Sequence, residues 1–214
     1  NFRACETGPC DPESVSIAFE RDHRVWTYRL RDGMPAGQPV VADVPRNWLT
    51  RLPDNGGIEA MAGDGRLKLI VAEQLRTASG AASALVLHNG GESDAAADQW
   101  DEVEVPVAKG FSPTDTDYLG GTSFLLLLRR YSLMAGVAAR VEEVTVTWTA
   151  NGHPRIASRP VAVLAPPMNV DNMEGLAIRR ENGRVFVYIV SDDNFSGAQR
   201  TLLMKFELLD AIRR

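Results

Sequence analysis

Short runs of apolar or β-branched residues recur along the chain at residues 15–19, 24–30, 67–72, 84–88, 100–107, 123–128, 141–149, 160–164, 175–179, 185–191 and 201–208. Each has the length of a strand. The clearest, Val141-Glu-Glu-Val-Thr-Val-Thr-Trp148, alternates so that one face can be buried while the other stays wet. Turn dipeptides stand between the runs: Asp-Gly at 32–33 and 64–65, Gly-Gly at 120–121, Asn-Gly at 151–152 and 182–183. The pattern predicts an antiparallel meander and an all-β chain, with at most a helical turn or two near 45–52 and at the C-terminus. The stretch 89–99, full of Gly, Ala, Ser and Asp, reads as a loop, because strands of the same kind resume beyond it. Residues 13–214 therefore read as a single domain, preceded by an arm at 1–12.

One layout occurs twice: an acidic residue, a strand, a turn, a second strand, another acidic residue. It runs from Glu59 through Asp64-Gly65 to Glu73, and from Glu174 through Asn182-Gly183 to Asp192 and Asp193. A shorter echo joins Glu13 to Glu20. Such a unit cannot bury both faces alone and needs neighbours around a ring, which predicts a β-propeller-like fold of about four or five blades at roughly 40–50 residues each. A two-sheet sandwich is the competing architecture, since strands and turns alone do not separate the two. The expected propeller is incomplete, with N-terminal blades missing. An unclosed ring exposes a strand edge, so self-association or a missing N-terminal segment is expected to close it.

With 214 residues, 44% hydrophobic and 24% charged, the chain has material for a sizeable core. A net charge of -5, with no Lys/Arg run between aromatic residues, argues against a nucleic-acid partner. The longest apolar run, 124–128, is far short of the roughly 20 residues of a membrane span. Cys5 and Cys10 flank a Glu-Thr-Gly-Pro loop; the spacing suits a local disulfide in an oxidising compartment, or else a pair of free thiols.

Nucleophile elbows, His-Glu-x-x-His pairs, phosphate loops and dinucleotide fingerprints are absent. Asp115-Thr-Asp117 opens like a calcium loop, but Leu119 and Leu126 stand where ligating oxygens are required. His23, His88 and His153 have no serine and carboxylate beside them in sequence. What remains is oxygen chemistry. Glu13, Glu20, Glu59, Glu73, Glu174, Asp192, Asp193 and Asn194 fall at predicted strand ends, which converge on one mouth of a propeller. Crowded carboxylates repel one another and a hard cation relieves that cost, so calcium is the expected guest, able to polarise an ester oxygen and acidify water. Solvation or hydrogen bonding to turn amides is the plain alternative for each of them. Arg129 and Arg130 end the apolar run where Glu73 and Asp192 end theirs, placed to grip a phosphate or carboxylate or to pair with neighbouring acids.

Asn172-Met-Glu-Gly-Leu-Ala-Ile178, Val190-Ser-Asp-Asp-Asn-Phe-Ser196 and Gln199-Arg-Thr-Leu-Leu203 resemble the closing section of the "esterase-like activity of phytase" family of bacterial exported proteins. Residues 19–28, Asn55-Gly-Gly-Ile-Glu-Ala60 with Glu73, and Asp115-Thr-Asp117 with 125–130 resemble its earlier motifs in the same order. The resemblance implies a propeller-like fold, a periplasmic or secreted location, and hydrolysis of a small-molecule phosphate or related ester. Its motif positions are Glu20, Glu59, Glu73, Arg129, Glu174, Asp192, Asp193 and Asn194. The roles expected of them are calcium binding by Glu59, Glu174 and Asp192, with Glu20, Glu73, Asp193 and Asn194 around them, and catalysis by Glu174, Asp192, Arg129 and Arg130. A non-catalytic exported binding module and a lactonase-type metal-dependent hydrolase are the two other readings.

Overall fold

The computed structural model describes residues 14–64, 66–89, 98–132 and 136–209. Cys5, Cys10 and Glu13 lie outside them, as does most of the C-terminal stretch where a helical turn is expected. The described chain is all-β, apart from the one-turn helix α1 (Arg46–Leu49), and forms four antiparallel sheets in sequence order. Sheet 1 holds β1 (Ser14–Phe19), β2 (Arg24–Arg31) and β3 (Met34–Val41). Sheet 2 holds β4 (Ile58–Gly63), β5 (Leu67–Arg76), β6 (Ala82–Asn89) and β7 (Asp98–Val105). Sheet 3 holds β8 (Ser112–Gly120), β9 (Ser123–Ser132), β10 (Gly136–Trp148) and β11 (Pro154–Leu164). Sheet 4 holds β12 (Met173–Glu181), β13 (Arg184–Ser191) and β14 (Leu203–Leu208). Within each sheet every strand pairs with its sequence neighbours, as antiparallel hairpins require. Asp32-Gly33 and Asn182-Gly183 turn with positive φ at both residues, which is why Asn, Asp and Gly stand there.

Each joint between successive sheets has its own apolar core. Val25 of sheet 1, with Val44, Trp48 and Leu52 in and around α1, meets Ile58, Ile70 and Leu85 of sheet 2. Leu69, Val71, Val86 and Val105 of sheet 2 meet Phe124, Leu126, Leu128 and Val144 of sheet 3. Leu125, Leu127 and Val141 of sheet 3 meet Leu176, Ile178, Val187 and Ile189 of sheet 4. The uninterrupted run in β9 follows from this stacking, because even-numbered side chains feed one core and odd-numbered ones the next, and all five are fully buried. At roughly 1.5–3 kcal/mol for each buried leucine or phenylalanine, β9 is the axle of the fold.

The first strands of sheets 2, 3 and 4 lie side by side. Between β8 and β12 the contact is made by side chains, which the calcium-loop look-alike Asp115-Thr-Asp117 supplies. The backbone amide of Leu176 donates to Asp115 Oδ2 at 2.6 Å, and that of Ile178 donates to Asp117 Oδ2 at 2.7 Å. Burial pushes the Asp115 carboxyl up to about 6 and that of Asp117 in the same direction, although these amides pull both down.

Candidate active site

Three sheets contribute to the site from equivalent positions. The pairing register shifts at Glu59 between Ile58 and Ala60, at Thr114 between Pro113 and Asp115, and at Glu174 between Met173 and Gly175. A bulge at the start of a first strand turns one side chain out of the pleat, which suits a residue that must face a site rather than a core. Across each bulge the second strand ends in a charged residue. Ile58 pairs with Ala72, Pro113 with Leu128 and Met173 with Ser191, so Glu73, Arg129 and Asp192 follow at matching positions. The backbone confirms the match: Glu73 N–H donates to Gly57 O and Asp192 N–H donates to Asn172 O.

Sheet 1 reaches the same place by the end of β1. The Glu20 carboxylate accepts the backbone amides of Gly56 at 2.8 Å and Gly57 at 3.4 Å, just ahead of β4. Strand β1 thus runs into the site as β5, β9 and β13 do. In this it matches the second strand of the other sheets. Gly57 must be small, since a Cβ there would stand 2.6 Å from the His23 ring, and that ring donates from Nε2 to Pro53 O.

Arg129 is the electrostatic centre. Its guanidinium bonds Glu73 at 3.1 Å, Glu174 at 2.9 Å and the Asn172 side-chain oxygen at 2.6 Å, while the Asn172 amide donates back to Glu174. Glu73 is buried while Arg129 is half-buried, so the pair is partly shielded from water. Carboxylates nonetheless outnumber cations here. Burial, a hydrogen bond to Glu20, and the charges of Glu20, Glu73 and Glu174 push Glu59 up to about 8, so it holds its proton at neutral pH. Glu20 moves the opposite way, lowered by that hydrogen bond and by the Gly56 amide. Burial likewise raises Glu174, helped by Glu73 and Asp192 and opposed by Arg129 and Asn172.

Glu20, Glu59, Glu73, Arg129 and Glu174 are thus gathered, with Asp192 exposed at the rim close enough for its charge to reach Glu174. No group of three acidic or histidine side chains among the described residues is disposed to ligate a metal ion as placed. Asp193 and Asn194 shape the following turn: Asp193 accepts the Phe195 amide and the Thr201 hydroxyl, and Asn194 N–H donates to Asp192. Arg130 is parted from Arg129. Neighbours in a strand face opposite sides, and its guanidinium lies 5.0 Å from the Phe111 ring centroid, in the joint between sheets 2 and 3.

The family model described as "Phytase-like: Esterase-like activity of phytase" matches residues 10–195. The chain belongs to the phytase-like family. No curated protein and no solved structure matches it. The phytase-like match takes in every gathered residue from Glu20 to Asp192. Sequence reasoning missed Asn172, which steers Arg129 and Glu174, and Thr114, whose hydroxyl donates to Met173 O at 3.1 Å. The repeat held the signal for both: Thr114 occupies the bulge position of Glu59, and Asn172 stands where Gly57 stands in sheet 2.

Proposed function

We propose that this phytase-like chain is a periplasmic or secreted hydrolase of small phosphate or related esters, its four sheets being blades of an incomplete β-propeller. The observation that carries the reading is the gathering of acids around Arg129, with Glu174 oriented by Arg129 and Asn172 and with burial and the charges of its neighbours favouring the protonated form of Glu59 beside Glu20. Two acids with different proton demands divide the work of ester hydrolysis. Glu59 gives its proton to the departing alkoxide oxygen. Glu174 takes a proton from the attacking water, and proton exchange with solvent resets both. Arg129 carries the positive charge that draws the anionic end of the substrate, while Glu20 keeps Glu59 loaded and aimed.

The same oxygens suit a hard cation. The gathered acids offer oxygen donors, and the imbalance that favours a proton on Glu59 is one that calcium relieves. Glu59, Glu174 and Asp192, flanked by Glu20 and Glu73, would have to close on it to hold it in place of that proton, because no three of these side chains stand at ligating positions as placed. When bound, calcium polarises an ester oxygen and makes a neighbouring water more acidic.

The test is turnover of p-nitrophenyl acetate, p-nitrophenyl phosphate, phytate and a lactone by the purified chain, with calcium and after chelation. Glu59→Gln keeps the shape and loses the transferable proton, and should lower kcat by roughly 100- to 10,000-fold. Full activity in that variant removes Glu59 from the chemistry. No turnover by the parent chain on any ester, with or without calcium, favours the binding module.

A further inference from the structure

Arg130 belongs to a second basic cluster that the ester chemistry leaves unused. It lies on the other side of β9 from Arg129, around the turn that leads into β8. Phe111, buried at the centre of this cluster, has the Arg130 guanidinium 5.0 Å from its ring centroid and that of Arg140 at 5.6 Å. Arg76, from the end of β5, donates to the Phe111 carbonyl at 3.2 Å and to the Ser112 hydroxyl at 3.3 Å. Gly110 packs against the Arg130 stem, where a Cβ would meet Cδ at 3.6 Å.

The cluster has more donors than acceptors. Arg76 Nη1, Arg130 Nε and Arg140 Nε are all cut off from solvent and have no hydrogen-bond partner. Glu142 takes one end of Arg140 at 3.1 Å, Glu73 exerts its charge on Arg76 from a distance, and no carboxylate among the described residues bonds Arg130. Burying a charged donor unsatisfied costs more than a neutral one, so three around a single turn call for an acceptor of opposite charge. A guanidinium presents its N–H groups as a fork matched to the oxygens of phosphate. Stacking on Phe111 fixes two of these forks in advance, which spares the ordering cost of binding.

We propose that the Phe111 turn carries a site for a tetrahedral oxyanion, held by Arg76, Arg130 and Arg140. Arg76 comes from sheet 2 and the other two from sheet 3, so the bound anion ties the two sheets together across their joint. Inorganic phosphate is the simplest ligand, and the phosphate of a monoester presents the same oxygens. The site does not depend on ester turnover, and its binding is measurable in a chain with no hydrolytic activity.

The experiment is thermal unfolding and isothermal titration of the whole chain with inorganic phosphate and, separately, phenyl phosphate, each against sodium chloride of equal ionic strength. The parent chain should show a saturable rise in Tm beyond the chloride control, with binding in the titration. A response to both ligands places the site's ligand among phosphate esters as well as the free ion; a response to phosphate alone restricts it to the free ion. Arg130→Met keeps the stem on Phe111 and removes the charge, and should weaken binding at least about tenfold. Arg76→Met, on the opposite sheet, should do the same, each variant being compared with its own ligand-free Tm. No saturable response to either ligand up to about 10 mM, or an undiminished one in both variants, overturns the proposal.

Discussion

Glu59→Gln should flatten the dependence of stability on pH. Glu59 ordinarily titrates near 4.5 and is raised to about 8 in the folded chain. Between those values the folded state holds a proton that the unfolded state has released. Stability from this group is therefore complete below about 4.5 and is lost as pH rises through about 8. Each pH unit between the two values is worth about 1.4 kcal/mol, which would give close to 5 kcal/mol for a sealed site. Glu59 is only half-buried, and solvent screening reduces the expected figure to about 2–3 kcal/mol. The glutamine of the variant cannot titrate, yet its amide can donate to Glu20 as the shared proton does. Urea unfolding of both chains from pH 5 to pH 9 isolates the effect, because Asp115, Asp117 and Glu174 titrate in each. The parent should lose about 2–3 kcal/mol relative to the variant across this range, and parallel curves would refute the shared proton.

Four further outcomes are expected. Arg129→Met leaves Glu73 and Glu174 without their cation and, with solvent screening at the half-buried Arg129 and Glu174, should destabilise by about 1–3 kcal/mol in urea unfolding near neutral pH. Gly57→Ala drives a methyl group into the His23 ring; a loss of about 1–3 kcal/mol and a shallower parent-type pH slope should appear together, as Glu20 moves off Glu59. Asp115→Asn keeps one acceptor oxygen where two amides now donate, at a cost of about 1–2 kcal/mol, with faster hydrogen exchange at Leu176 or Thr116. Leu126→Ala opens a cavity in the core between sheets 2 and 3 and should cost about 2–5 kcal/mol, read from the urea midpoint at unchanged slope.

Much of this was legible in the string because repetition exposes equivalent positions. Glu59 with Glu73 and Glu174 with Asp192 stand out as acids flanking two-strand units, and the structure adds that both leading residues sit on bulges. Strand β3 escaped notice because its run Met-Pro-Ala-Gly-Gln-Pro-Val-Val lies at a sheet edge, where Val40 and Val41 stay exposed and no buried face imposes alternation. Strand β8 hides for the opposite reason. It lies among other strands and carries Asp115, Thr116 and Asp117 as acceptors and donors for its neighbours' backbones, so its polarity masks its burial. The separation of Arg129 from Arg130 follows from the two-residue period alone, whereas the reach of Arg129 to Glu73 across sheets needed coordinates.

The way sheet 1 is fastened has a mechanical meaning. At the site its hold is one carboxylate seated on two glycine amides and bonded to Glu59, with the His23 ring on Pro53 O beside it, and behind these stands the smallest of the three apolar cores among the described residues. Tension or mild denaturant should peel this wing away before the remaining sheets part. Withdrawal of Glu20 removes both the acceptor and the nearest negative charge that keep Glu59 loaded, and Glu59 then sheds its proton more readily. The acidity of the site thus reports whether the wing is seated, and detachment disarms the proton donor without any change at Arg129.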